Sequence, residues 1–131
     1  MQPISMTEKT PARPEILAAL VCPLVIDVRD QDERTAGKGG PPGVIEGSVH
    51  VPLNIDGQKQ SVRETTSEEF VAKLLEAGID VTAEEVRSRS IITHCGTGGR
   101  GAKAADILRG IGCNAHNGGS TAHISASCST L

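Results

Sequence analysis

The alternation of strand and helix signals along the chain predicts an α/β fold built on a mainly parallel sheet. Leu24-Val25-Ile26-Asp27-Val28 is a compact β-branched run ending in a charged cluster, the mark of a buried parallel strand. Elsewhere apolar residues recur with helical spacing, as in Phe70, Val71, Leu74 and Leu75. With 131 residues, no internal repeat and no linker long enough to divide it, the chain reads as one domain over residues 1–131.

Taken in order, Pro14 to Leu20 carries Ile16, Leu17 and Leu20 behind a proline suited to a helix first turn, and reads as a short helix. The strand Leu24 to Val28 follows. Gly37 to Gly43, GKGGPPG, is a loop on composition. Ser48 to Leu53 alternates weakly and ends at Pro52, giving a second short strand. Asn54 to Thr66 is polar and reads as an exposed connection. Ser67 to Ala77 is an amphipathic helix, with Thr66 or Ser67 as N-cap and Gly78 as its stop. Ile91 to His94 is a third strand, followed at once by the turn CGTGGRG. Ala102 to Ile111 is a helix with Ala104, Ala105, Leu108 and Ile111 inward, Lys103, Asp106 and Arg109 outward, and Gly110 and Gly112 at its end. Cys113 to His116 is a last short strand before Asn117-Gly118-Gly119. The tail over residues 121–131 is expected to fray.

Composition narrows the function classes. Hydrophobic residues make up 37% and charged residues 22%, as in a soluble globular domain. No apolar run approaches the ~20 residues of a membrane span. Met1 to Thr10 lacks the basic-then-apolar order of a secretory signal, so a cytoplasmic or other reducing location is expected. The net charge of −3 argues against a nucleic-acid surface held by bulk charge. One Phe and no Tyr or Trp leave no base-stacking platform. Four cysteines, at 22, 95, 113 and 128, include no C-x-x-C pair, and His50, His94, His116 and His123 show no ligand spacing, so no metal is expected. Cys22 and Cys113 read as small buried hydrophobes.

Cys95 differs from the other cysteines because of its place, just after a strand and just before a helix. In open parallel sheets ligands sit beyond the carboxyl ends of strands. Gly96, Gly98, Gly99 and Gly101 let the backbone curl with several N–H groups turned inward. A helix starting near Gly101 or Ala102 adds its positive end, and Arg100 a fixed charge. Together these favour a thiolate and a cradle for an anion; the bland alternative is an idle glycine loop. Gly96 to Gly101 also matches G-x-G-x-x-G, but 30 residues follow it and no acidic residue stands where a ribose contact belongs. It has P-loop spacing too, but Ala102 and Lys103 replace the Lys and Ser/Thr. His94-Cys95 and Arg100 are similar to a cysteine phosphatase loop, one residue shorter between Cys and Arg, which leaves less room for a phosphate ester and suits a terminal sulfur.

Several stretches together resemble the single-domain rhodanese, or thiosulfate sulfurtransferase-like, family. They are Leu24 to Glu33 (LVIDVRDQDE), Gly43 to Pro52 (GVIEGSVHVP), Ile91 to Gly112, and Asn117-Gly118-Gly119. Cys95, Gly98 and Arg100 fit the family's C-x-x-G-x-R loop, and the resemblance covers roughly residues 14 to 120. It implies a three-layer sandwich whose central, mainly parallel five-stranded sheet is flanked by helices. It also implies a Cys95 persulfide, with the backbone amides of Gly96, Thr97, Gly98, Gly99, Arg100 and Gly101 holding the outer sulfur. The chain departs from the family at Val44, where the family has His, at an insertion over Lys38 to Pro42, and at Gly101, where many members carry Ser or Thr.

The expected activity is transfer of a sulfane sulfur from an anionic donor such as thiosulfate to cyanide or a thiol, with Cys95 as nucleophile and no cofactor. The expected partners are small-molecule donors and acceptors or a protein sulfur acceptor, with no nucleic acid and no membrane. The rivals are a regulatory binding module and a phosphatase or arsenate reductase of related fold. Asp27, Arg29 and Glu33 are supporting residues: Arg29 could reach substrate, but a pair with Glu33, four residues on, is the preferred reading. His94 adjoins Cys95 on a strand, so its side chain should point to the opposite face.

Overall fold

The computed structural model describes residues 12–20, 22–29, 45, 47–52, 67–95 and 99–127. Its sheet has strands β1 (Leu24–Asp27), β2 (Val49–His50), β3 (Ser90–His94) and β4 (Asn114–Asn117), in the order β2-β1-β3-β4 and parallel throughout. The helices among the described residues are α1 (Pro14–Ala18), α2 (Ser67–Glu76), α3 (Glu84–Arg87), α4 (Gly99–Gly110) and α5 (Thr121–Ser127). The four strands are the four that the sequence marks as apolar or alternating runs. The fifth, implied by the family resemblance alone, is not found among the described residues.

The register sets the layers. Leu24 pairs with Ile91 and Ile91 with Ala115; Val25 pairs with Ile92. Because successive strand side chains alternate faces, each cross-strand row shares one face. On one face Ile26, Val28, Ile91, Cys95 and Ala115 pack with Phe70 and Leu74 of α2 and Ala104, Ala105 and Leu108 of α4. On the other, Val25 and Ile92 pack with Leu17 of α1, Ile45 and Ile124 of α5. The result is helix, sheet and helix in three layers, the arrangement a sheet apolar on both faces requires.

Three expectations need correction, and two core residues come without a sequence signal. Leu75 is 59% exposed, because Phe70 and Leu74, four apart, take the sheet-facing stripe and the next residue is turned about 100° away. Ile79 and Val81 are buried core residues in a stretch without a periodic signal. The tail does not fray from 121: Thr121–Ser127 is helical, held by Ile124, which is fully buried in the α1-side core. Cys22 is exposed at a bend with φ 46°, where its carbonyl accepts the Arg89 guanidinium Nη2 at 3.1 Å. Cys113, by contrast, is buried, and burial pushes its thiol pKa up. No helix among the described residues is long and apolar enough to cross a membrane.

Candidate active site

Parallel register brings the carboxyl ends of the strands to one edge of the sheet. Asp27 lies between His50 and His94. The Val28 N–H donates to the His94 carbonyl and the Val51 N–H to the Asp27 carbonyl, each at 2.9 Å. One residue beyond β3, the Cys95 N–H donates to the Gly119 carbonyl at 2.9 Å. Cys95 therefore continues β3 by one position, fully buried on the α2–α4 face. His94 precedes it and, by strand alternation, belongs to the opposite face.

Helix α4 begins at Gly99, two residues before the expected start at Gly101, so Gly99, Arg100 and Gly101 form a helical first turn. Glycine is a poor helix residue, but close approach decides here. A Cβ built on Gly101 would lie 2.6 Å from Asn117 Oδ1, 3.3 Å from His94 Cα and 3.4 Å from the Thr93 carbonyl oxygen. Amides of a first turn have no intrahelical acceptor. That of Gly101 donates to Cys95 Sγ at 3.4 Å. A sulfur at the N-terminal end of a 12-residue helix, facing a backbone N–H, is suited to carry negative charge.

At the end of β1, Asp27 and Arg29 form a buried pair. Arg29 Nε donates to Asp27 Oδ1 at 3.0 Å and Nη2 to Oδ2 at 2.7 Å, while the Arg29 backbone N–H donates to Oδ1 at 3.0 Å. Both side chains are fully buried. Burial alone would raise the Asp27 carboxyl; the Arg29 hydrogen bonds and the nearby His94 ring outweigh it and hold the pKa below its ordinary value of 3.8. The expected partner Glu33 lies outside the described residues; the partner among the described residues is Asp27, whose carboxylate also accepts the Arg29 N–H at the bend after β1. His50 Nε2 lies 2.7 Å from the Arg29 carbonyl oxygen and ties β2 to this corner.

Arg100 is 7% exposed, within the first turn of α4. Asp106, a conceivable surface partner for it, pairs with Arg109 at 2.8 Å. Gly96, Thr97 and Gly98 lie outside the described residues, as do Val44, the 38–42 insertion, the 54–66 connection and Cys128.

Residues 13–123 match the family model of the rhodanese-like domain. The chain belongs to the rhodanese-like domain family. No curated protein sequence matches it. In this rhodanese-like domain the edge carrying Cys95 also holds two buried polar side chains that sequence reasoning passed over, Thr93 and Asn117. They are cross-strand partners in the β3–β4 register. Thr93 Oγ1 donates to the Gly101 carbonyl at 2.6 Å, and Asn117 Oδ1 accepts the Gly119 N–H at 3.0 Å. A threonine two residues before the cysteine, on the same strand face, is the signal that could have found the first. Gly118 is fixed by packing: a Cβ there would lie 2.6 Å from both Ile92 Cγ2 and Ile124 Cδ1. A recess of about 310 Å³ between β2 and α2, lined by His50, Val51, Pro52, Lys73, Glu76 and Ala77, lies across β1 from Cys95.

Proposed function

We propose that this rhodanese-like domain is a sulfurtransferase that carries sulfane sulfur on Cys95. The observation that carries the reading is the Gly101 N–H directed at Cys95 Sγ from the first turn of α4, at the carboxyl edge of a parallel sheet. The Cys95 thiolate attacks the outer sulfur of thiosulfate. A sulfur–sulfur bond forms to Cys95, and the bond to the sulfonate sulfur breaks with its electron pair leaving on sulfite. An acceptor such as cyanide then takes the terminal sulfur as thiocyanate, and the electron pair of the broken bond returns to Cys95. No net proton or electron is required, and the nucleophile is regenerated, as in two-step covalent catalysis.

In this reading the amides of Gly96 to Gly101 and the helix end stabilise charge on the transferred sulfur. Arg100 draws in the anionic donor, and the Asp27–Arg29 pair supports the edge without touching substrate. The acceptor is a small thiophile or a protein thiol. The test is thiocyanate formation from thiosulfate and cyanide beside hydrolysis of an aryl phosphate. Wild-type protein should form thiocyanate, Cys95→Ser should form none, and phosphate release should be undetectable. Phosphatase turnover comparable with sulfur transfer would overturn the assignment in favour of a phosphatase. Absence of both activities with retained anion binding would favour a binding module.

A further inference from the structure

The peptide that faces the Cys95 sulfur is itself held by two buried side chains from neighbouring strands. Thr93 is fully buried, and its hydroxyl donates to the Gly101 carbonyl at 2.6 Å. That carbonyl belongs to the same residue whose N–H reaches Cys95 Sγ. Asn117, 4% exposed, fills the space that a Cβ on Gly101 would need, with Oδ1 2.6 Å from that position. The same oxygen accepts the Gly119 N–H, and the Gly119 carbonyl accepts the Cys95 N–H. Gly118 closes the edge by donating to the Thr93 carbonyl. Cys95 is thus approached from two sides: through Gly101 at its sulfur and through Gly119 at its backbone. Asn117 touches both routes, and Thr93 fixes the first.

We infer that Thr93 and Asn117 are positioning residues for Cys95, a buried clamp that aims the Gly101 N–H at the reactive sulfur. The absence of a side chain at residue 101 is part of the device, because the asparagine carboxamide occupies its place. A donor aimed at sulfur stabilises negative charge where the sulfur reacts. Loss of aim therefore lowers the reactivity of Cys95 even when the fold survives. The inference deepens the sulfur-transfer reading, but it can be judged apart from it.

The experiment follows the rate at which iodoacetamide alkylates Cys95 at one fixed pH, read by peptide mass mapping so that Cys22, Cys113 and Cys128 are scored apart. Thr93→Val and Asn117→Ala should each slow alkylation of Cys95 roughly three- to tenfold, the weight of one hydrogen bond, whereas mere loosening of the fold would speed it. Thr93→Ser keeps the hydroxyl and should restore the wild-type rate. Gly101→Ala should destabilise the wild-type protein more than it destabilises the Asn117→Ala variant, since removing the carboxamide opens the space. Variants that lower the melting temperature but alkylate Cys95 at or above the wild-type rate would overturn the inference. If thiosulfate adds no sulfur to wild-type protein, the sulfur-transfer reading fails, while the alkylation rate still decides the clamp.

Discussion

The ends of β1 and β3 lie side by side at one sheet edge, and both bury polar groups, yet they are built for different ends. At β1, Arg29 meets Asp27 with two side-chain hydrogen bonds and a backbone N–H, so charge is neutralised by its neighbour. At β3, the chain runs into the N-terminus of α4, and the Cys95 sulfur faces an amide at 3.4 Å. A buried ion pair secures geometry, and breaking it is costly because the remaining charge is stranded. In the proposed sulfur transfer, the sulfur facing a helix N-terminus has a different use: the helix end stabilises charge that develops there. The two ends also project to opposite faces, since Cys95 joins the α2–α4 core while Asp27 shares its register row with His94. In the proposed reading, proximity at a sheet edge does not make a residue part of the chemistry; face and partner decide.

The comparison is broken most directly by removing one member of the β1 pair. Arg29→Met should cost about 3–5 kcal/mol of stability, the penalty of a stranded buried carboxylate. The fraction that remains folded should still take up sulfur at the wild-type rate; denaturant unfolding and adduct kinetics measure the two effects. A sulfur-uptake defect in the folded fraction would move Arg29 into the reacting site. Arg100→Ala should act the other way, costing ~1.5–3 kcal/mol in transition-state stabilisation, roughly ten- to a hundredfold in kcat/KM for thiosulfate. Arg100→Lys should recover part of the loss, because a point charge does not replace a fork. A kcat/KM within about twofold of wild type for Arg100→Ala would confine Arg100 to structure.

Acid sharpens the same contrast on a smaller scale. The folded pKa of Asp27 is depressed, so its contribution to stability is present above the unfolded value of 3.8 and is lost as pH falls through the folded one. Asp27→Asn should lower stability near neutrality and flatten this part of the acid limb in pH-dependent unfolding; an unchanged limb would contradict the pairing. The smallest effect belongs to the exposed surface. Arg109→Ala breaks a half-exposed pair with Asp106 and removes the Arg109 Nε donor to the Ala115 carbonyl, and should lower the unfolding free energy by about 1–2 kcal/mol.

Much of this molecule is legible because its signals are local. Leu24 to Val28 and Ile91 to His94 announce strands by composition, and the Cys-Gly-Arg spacing marks the edge that carries Cys95. What stayed hidden depends on faces and register. The Arg29–Asp27 contact joins residues two apart at the bend after β1, through a carboxylate that also accepts the Arg29 N–H, and no periodic pattern announces it. The early start of α4 at Gly99 runs against helix propensity, and close approach to β3 and Asn117 explains the glycine at 101. Thr93 and Asn117 are far apart in sequence, and their partnership exists through the β3–β4 register. Helix α5 lies in a Ser/Thr/Ala-rich tail, and its buried Ile124 is fixed by tertiary packing and not by periodicity.

The central claim is that sulfur is carried on Cys95. Intact mass spectrometry after incubation with thiosulfate and removal of excess donor tests it most directly. The account predicts a gain of one sulfur, about 32 Da, on the nucleophilic thiol. That gain should be lost in Cys95→Ser, retained in Cys22→Ser, Cys113→Ser and Cys128→Ser, and reversed by cyanide. An adduct that persists in Cys95→Ser, or maps to another cysteine, would contradict it.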